Sequence, residues 1–411
     1  MMSDRALGIN GLGRIGKLTV WQEVAARRFP RLVVSTGRAV GRSVDDIAHY
    51  LDVDSTYGCL GRFLSGHAGH RGAVRVVDAA AGELDLAGVP VRVLTEHRNP
   101  KDIGWAEHGV DLVVDTTGRF RDPTLPAGHP GGSLQGHLEA GARRVLVSAA
   151  FKIKDSSARL PDDAVMLIYG INHHAFEPSH HSMVSAASCT TTALAHMVLP
   201  LLNHELTHTM LTASMSTIHA CTNSQSVLDA VPTTGAKDLR KNRSVLDNII
   251  LTSTNAAQAL EQVIPEIASI GFLADSVRVP ITTASLIILN CTFQSKLDDY
   301  GNSLINRDSV NGIYRDFAAG SASGVVVSET QNVSRDMVGE TSAVVIEAAE
   351  THARTGFTRV DLGDLGIAGA DPALVEVPVT HVKIFGWYDN EYGSYTRRMS
   401  ELLHFIDDRV G

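Results

Sequence analysis

Short apolar runs alternate with helix-like stretches through the first half of the chain. Residues 7–10, 32–34, 74–77, 89–94, 110–114 and 145–148 are predicted strands, and residues 17–26, 43–51 and 133–142 predicted helices. That alternation predicts a mostly parallel α/β sheet. Beyond position 189 the pattern changes. Ala193, Leu194, Met197, Val198, Leu201 and Leu202 fall at helical spacing. Strands predicted at 210–216, 276–280, 285–292, 324–328, 342–347 and 381–385 make a larger, mostly antiparallel sheet. Further helices are predicted at 244–249, 256–264, 309–318 and 400–407. Residues 121–132 and 363–378 read as surface loops.

Composition narrows this picture. A chain of 411 residues suggests two or three domains. A net charge of −9 argues against a general nucleic-acid binder, though not against a local basic pocket. No stretch is long and apolar enough to span a membrane. Residues 1–12 lack a basic stretch followed by an apolar core, so no secretory signal is expected. Cys59, Cys189, Cys221 and Cys291 are far apart and form no C-x-x-C, so neither a zinc site nor a disulfide framework is expected. A reducing cytoplasm is the expected setting.

Two stretches carry candidate chemistry. Gly11-Leu12-Gly13-Arg14-Ile15-Gly16 fits G-x-G-x-x-G between a predicted strand and helix. Such glycines permit a tight turn, close backbone approach to a pyrophosphate and close helix–strand packing. The helix N–H groups would receive the phosphates. Val114-Asp115-Thr116-Thr117-Gly118 ends a strand in small and hydroxyl residues, suited to a cofactor crevice, with Thr117 a candidate contact. An acidic residue about 20 positions after the glycines selects NAD. Here Ser35-Thr36-Gly37-Arg38 has none, so Thr36 and Arg38 are candidate contacts to the 2′-phosphate of NADP. The plain alternative is that Arg38 points to solvent. The second stretch is Ser185-Ala186-Ala187-Ser188-Cys189-Thr190-Thr191-Thr192, with His219 thirty residues on. A cysteine at a helix start gains thiolate character from the positive dipole end, and a nearby imidazolium adds to it. Alternatively Cys189 is a buried small hydrophobe and His219 an ordinary histidine. His173-His174 and His180-His181 lack i, i+4 spacing and read as solvated histidines, so no metal site is expected. Arg240, Lys241 and Arg243 by themselves read as a solvated charge run.

The chain resembles the phosphorylating glyceraldehyde-3-phosphate dehydrogenase family. The matching stretches are 9–16, Asp54-Ser55-Thr56-Tyr57-Gly58, Ser188-Cys189-Thr190-Thr191, His219-Ala220, Val263-Ile264-Pro265-Glu266, Arg278-Val279-Pro280 and Trp387-Tyr388-Asp389-Asn390-Glu391. The resemblance implies an α/β chain: a Rossmann dinucleotide-binding domain over 1–187, completed by a C-terminal helix over 391–411, plus an α+β catalytic domain with a mostly antiparallel sheet over 188–390. It implies a homotetramer, an NADP or NAD cofactor, a phosphorylated aldehyde substrate and inorganic phosphate. By position, Cys189 resembles the nucleophile and His219 its base. Ser188, Thr190, Thr222, Lys241, Thr254, Asn255 and Arg278 fall at substrate or phosphate positions, and the resemblance sets Arg240, Lys241 and Arg243 in a loop near substrate and subunit contacts as the alternative to a solvated run. Gly11, Gly13, Arg14, Ile15, Gly16, Arg98, Ser148 and Asn390 match cofactor contacts. The implied chemistry runs from a thiohemiacetal on Cys189 through a thioester to an acyl phosphate.

Three departures lie near that chemistry. Ala186 replaces an asparagine, Asn255 replaces a glycine after the phosphate-site threonine, and Ser394 stands where a tyrosine is usual, with Tyr395 one place later. Insertions at 61–72, 121–132, 152–163 and 348–375 read as surface elaborations. The alternatives are a dehydrogenase for another phosphorylated aldehyde, such as erythrose 4-phosphate, or a cofactor-binding interaction protein.

Overall fold

The computed structural model describes residues 5–155, 157–320, 323–367 and 374–410. The chain forms two compact units: Met1–Cys189 with Glu391–Gly411, and Thr190–Asn390.

In the first unit the sheet order among the described residues is Ala164–Met166, Met183–Ser185, Arg144–Val147, Val110–Asp115, Ala6–Asn10, Arg31–Ser35, Val89–Leu94, Glu83–Leu86 and Val74–Asp78. The pairs up to Val89–Leu94 are parallel, and the last two strands run antiparallel at one edge. The parallel strands are short and apolar because helices or irregular segments cover both faces. One core cluster joins Leu7, Ile9, Leu18 and Trp21 to Met399, Leu402 and Ile406 of the helix Arg398–Val410. Burial of that apolar stripe brings the end of the chain back to the first unit. Polar ties reinforce it: buried Glu23 accepts from Ser400 Oγ at 2.6 Å and pairs with His404 Nε2 at 2.9 Å.

In the second unit the order is Ile250–Thr252, Gly271–Val279, Met210–Ala220, Ser285–Gln294, Leu374–Tyr388, Val344–Glu347 and Val325–Ser328, and His352–Asp361 also pairs with Leu374–Tyr388. Most pairs are antiparallel, but Met210–Ala220 runs parallel to Gly271–Val279 and Val325–Ser328 parallel to Val344–Glu347. The first of these parallel pairs sets the register of the site.

Two sequence expectations fail. Residues 244–249 are not helical. Their backbone bonds to another loop: Ser244 N–H donates to Asp229 at 2.8 Å and Val245 N–H to the Ser226 carbonyl at 2.9 Å. Asp247 at φ +57 then breaks helical geometry. The loop expected over 363–378 is in part a strand, since Leu374–Tyr388 is continuous and pairs with His352–Asp361. Val375, Val377 and Val379 alternate as a strand requires, but Pro378 masks the signal. Residues 368–373 of that segment, and Ser156 in the insertion 152–163, lie outside the described residues.

Candidate active site

The glycine loop follows the strand Ala6–Asn10 and opens the helix Arg14–Ala26. Gly11 has φ +98, and a Cβ there would press on Thr117. A Cβ on Gly16 would lie 2.1 Å from the Gly11 carbonyl oxygen. Gly13 differs: a Cβ there would meet nothing within 4 Å. It stands at the N-cap with no side-chain cap and no acidic residue in the first turn. Open N–H groups on a thirteen-residue helix, with space above the glycine, fit a dinucleotide's phosphates. Beside it a cavity of about 430 Å³ is lined in part by Gly13, Thr36, Arg38, Asp46 and Tyr50.

The strand ends beneath the loop are held by a buried polar chain. Trp105 Nε1–H donates to His137 Nδ1 at 2.9 Å. His137 Nε2–H therefore faces Asp115 at 3.1 Å, and Asn10 Nδ2 donates to the same carboxylate at 2.8 Å. Asp115 also accepts from Thr117 N–H at 3.0 Å and Thr117 Oγ at 2.7 Å. The sequence assigns no role to Trp105 or His137, and to Asp115 only a place in the crevice-lining stretch 114–118. A tryptophan and a histidine give no motif, and only their burial together reveals the chain.

Two cofactor expectations change. The Arg14 guanidinium is engaged by Asp54 and by Glu391, the latter at 2.6 Å. Burial pulls its pKa down, but Glu391 and Asp54 outweigh that and raise it. Its backbone N–H, and that of half-buried Ile15, are what remain for a ligand. Thr36 Oγ–H donates to the Arg38 carbonyl at 2.7 Å, closing the turn instead of offering itself to a phosphate. Arg38 and Arg98 are exposed, and Arg98 backs the Gly37 turn, where a Cβ would come 3.3 Å from its Cα. Ser148 N–H donates to the Asp115 carbonyl at 2.8 Å.

Cys189 is the first residue of the helix Cys189–Asn203 and is half-buried, as is Ser188. None of the four cysteines is in a disulfide. Just before it, Ala187 holds φ +54, a left-handed conformation that disfavours a side chain. Its N–H donates to Ser185 Oγ at 3.1 Å. Ala186 is buried, with its N–H on the Val147 carbonyl at 2.9 Å.

In the second unit the parallel register sets His219 opposite Arg278. His219 is buried, and its Nδ1 faces the Ala220 carbonyl at 2.7 Å. Arg278 Nη1 lies against the same nitrogen and donates to the same carbonyl at 3.0 Å. One nitrogen cannot both donate to the carbonyl and accept from the guanidinium. The carbonyl bond has the ordinary length, so we assign the proton to Nδ1, which leaves Nε2 basic. Burial first, then the Arg278 charge, push the His219 pKa down to about 3, so the ring is a neutral imidazole at neutral pH. The imidazolium expected beside a thiolate is therefore not its resting form.

Tyr388 supplies a support that the sequence did not point to. Its buried hydroxyl meets Thr190 Oγ at 3.0 Å and Thr217 Oγ at 2.8 Å. Thr190 is thus buried and engaged with the strand sheet, a different duty from the phosphate contact expected of it. Asn390 is buried and its Oδ1 accepts from Ser285 Oγ at 2.9 Å, while Ser285 accepts from Ala220 N–H at 3.1 Å. That fixes which end of the Asn390 amide is a donor.

The remaining phosphate candidates stand on exposed or half-exposed chain. Thr222 Oγ contacts Ser224 and Gln225 at 2.9 and 3.0 Å. Arg240 pairs with Asp238 and Arg243 with Asp229, but Lys241 has no ion pair among the described residues. Thr254 Oγ accepts from Ala256 N–H at 3.2 Å. Asn255 is exposed at φ −100, a backbone that does not call for glycine. Among the described residues no group of three or more His, Cys, Asp or Glu side chains could hold a metal.

A Rossmann unit with an open helix start, in one chain with a separate α+β unit, is the build of a nicotinamide-dependent oxidoreductase. Residues 5–123 match the family model of the glyceraldehyde 3-phosphate dehydrogenase NAD binding domain, and residues 188–361 that of its C-terminal domain. Glyceraldehyde-3-phosphate dehydrogenase 2 of Streptomyces avermitilis is 30% identical, covering 98% of this chain and 99% of the relative. Glyceraldehyde-3-phosphate dehydrogenase 2 of Streptomyces arenae is 32% identical over 97% and 98%. That of Geobacillus stearothermophilus is 31% identical over 97% of each. The chain belongs to the glyceraldehyde-3-phosphate dehydrogenase family.

Proposed function

We propose that the protein oxidises glyceraldehyde 3-phosphate to 1,3-bisphosphoglycerate, reversibly and through a cysteine thioester. Residues 1–187 with 391–411 serve the cofactor and 188–390 the substrate. His219 Nε2 takes the Cys189 thiol proton as the sulfur adds to the aldehyde carbon and returns it to the former carbonyl oxygen, so that a neutral thiohemiacetal forms. His219 Nε2 takes the hydroxyl proton of the resulting thiohemiacetal as its carbon is oxidised. A bound nicotinamide supplies the acceptor for the hydride. An inorganic phosphate oxygen then attacks the thioester carbon and expels the Cys189 thiolate. Arg278, Ser188, Thr222, Lys241 and Thr254 bind the phosphates, with Asn255 at the border of their site. Asn390, with its Oδ1 held by Ser285, offers its N–H₂ to the carboxamide of the nicotinamide.

The observation that carries this reading is Cys189 as the first residue of a fifteen-residue helix. The test is turnover of glyceraldehyde 3-phosphate with phosphate and each nicotinamide cofactor. Cys189→Ser should abolish turnover and keep cofactor binding. Near-wild-type turnover would sink the mechanism. Erythrose 4-phosphate in the same assay decides the substrate. NADP is expected to serve at least as well as NAD.

We also propose a homotetramer in the cytoplasm. Val227, Leu228, Val231, Ile249 and Leu273 of the second unit are between 64% and 90% exposed. So much exposed aliphatic surface favours self-association, which light scattering measures directly.

A further inference from the structure

We propose that the turn Tyr392–Arg397 braces the nucleophile, with Ser394 and Tyr395 as positioning residues that set the reactivity of Cys189; this rests on the reading of Cys189 as nucleophile. The turn is π-helical. It is closed by Thr396 N–H donating at 3.2 Å to the carbonyl of Glu391, five residues back. Such turns are rare and recur at functional sites. Here two consecutive side chains reach one short segment. Ser394 Oγ–H donates to the Cys189 carbonyl at 3.0 Å, and Tyr395 O–H to the Ala187 carbonyl at 3.2 Å. The two carbonyls flank Ser188. Both donors are buried, at 0% and 5% exposure.

The geometry gives each bond a task. Ala187 sits at φ +54, which an alanine does not hold without help. Ser185 Oγ holds its N–H and Tyr395 holds its carbonyl. A donor on a carbonyl also polarises that peptide and strengthens its N–H dipole. The Ser394 bond does this for the Cys189–Thr190 peptide and the Tyr395 bond for the Ala187–Ser188 peptide. Stronger N–H dipoles at a helix start favour a thiolate. Burial, then the nearby Cys189 charge, raise the Tyr395 pKa, so the hydroxyl stays a donor while a thiol titrates.

The experiment uses the full chain. Iodoacetamide alkylation rates are measured against pH, with the adduct mapped by mass spectrometry, for wild type, Ser394→Ala, Tyr395→Phe and Ser394→Thr. Steady-state kcat and KM are measured on the same proteins. Ser394→Ala and Tyr395→Phe should each slow alkylation of Cys189 at neutral pH by about fivefold, the worth of one hydrogen bond. The profile should move to higher pH, the plateau rate at high pH should hold, and kcat should fall with little change in KM. Ser394→Thr keeps the hydroxyl and should restore the profile. Unmoved profiles and wild-type kcat in both variants would overturn the brace. So would equal losses at neutral pH and on the plateau, the mark of a merely structural role. An adduct mapping to another cysteine in wild type would instead remove the nucleophile reading, and the brace with it.

Discussion

Two strand ends, one in each unit, treat polar side chains in opposite ways. At the end of Met210–Ala220, His219 and Thr217 are buried, with partners from Ala220, Arg278 and Tyr388. Just past the end of Arg31–Ser35, Arg38 stands exposed, as does Arg98 past the end of its neighbour Val89–Leu94. The first arrangement fixes an orientation and a protonation state. The second leaves charge at the surface, where water and salt weaken it. Proton transfer needs the former, because a base must hold one tautomer at one place. Discrimination between two cofactors that differ by a phosphate needs only the latter. Substitutions at the buried end should therefore cost far more than substitutions at the exposed end.

The sharpest way to break this contrast is His219→Asn, expected to lower kcat by about 10²- to 10⁴-fold, the usual worth of a general base. The pH response distinguishes the buried ring from a solvated one. With its pKa pushed down to about 3 by burial and Arg278, His219 keeps its basic form well below neutral pH. The acid limb of kcat/KM in the wild type should then not lie near 6.5. Stability follows the same sign. The unfolded chain binds a proton at His219 below about 6.5 and the folded chain does not until far lower. Folding free energy from this group is complete above that pH and declines as pH falls toward 3. His219→Asn should flatten part of the decline in an acid-unfolding titration. An acid limb at about 6.5 that vanishes in His219→Asn would show the ring to be solvated.

Arg278→Ala tests the neighbour. A charged hydrogen-bond donor contributes roughly ten- to a hundredfold in affinity, so KM for aldehyde or for phosphate should rise by that range. Burial, the first cause of the low His219 pKa, is untouched, so the pH profile should shift only in part. A KM unchanged for both substrates would confine Arg278 to positioning His219.

The glycine loop gives a third comparison within the cofactor unit. Gly16→Ala sets a methyl 2.1 Å from the Gly11 carbonyl oxygen and should destabilise the fold by about 1–3 kcal/mol in denaturant melts. Gly13→Ala meets nothing within 4 Å and should leave stability nearly unchanged while weakening cofactor binding. Equal loss of stability in both would mean that the space above Gly13 is not reserved for a ligand.

These cases show what the sequence could and could not carry. The Gly11-to-Gly16 spacing and the run to Cys189 were legible because backbone geometry demands small residues in a fixed pattern. The parallel strands were legible because burial on both faces leaves apolar runs. Short pieces such as Ala164–Met166 and Met183–Ser185 escaped, since three residues give no periodicity. Helix 244–249 was misread because its Ser and Asn side chains and Asp229 bond the backbone of loops, which an apolar count does not register. The supports of the site were hidden most deeply. Tyr388, Ser285 and the Trp105–His137–Asp115 chain depend on residues more than twenty positions apart. The ties of the Arg14 side chain were hidden in the same way: they run to Asp54 and Glu391, and no local pattern names a partner 377 positions away.

Arg38→Ala should have the smallest effect, and its size tests the exposed side of the contrast. The cavity beside the turn holds Arg38 and also Asp46. Asp46 is ionised, its pKa held down to about 2 by hydrogen bonds from Arg42, and its charge is matched by that arginine. The balance left at the turn is the positive charge of Arg38 and Arg98. A 2′-phosphate gains from that charge, and a 2′-hydroxyl does not. Because Arg38 is exposed, the gain is that of a surface pair, about two- to fivefold in kcat/KM for NADP. NAD should be unaffected by Arg38→Ala. The NADP effect should shrink as salt rises from 10 mM toward about 0.15 M, because the screening length falls to about 8 Å. Asp46→Asn should move the ratio toward NADP by a similar factor. A wild-type enzyme that strongly prefers NAD, with a ratio indifferent to both substitutions and to salt, would show that cofactor choice is made elsewhere and that the exposed strand end is only surface.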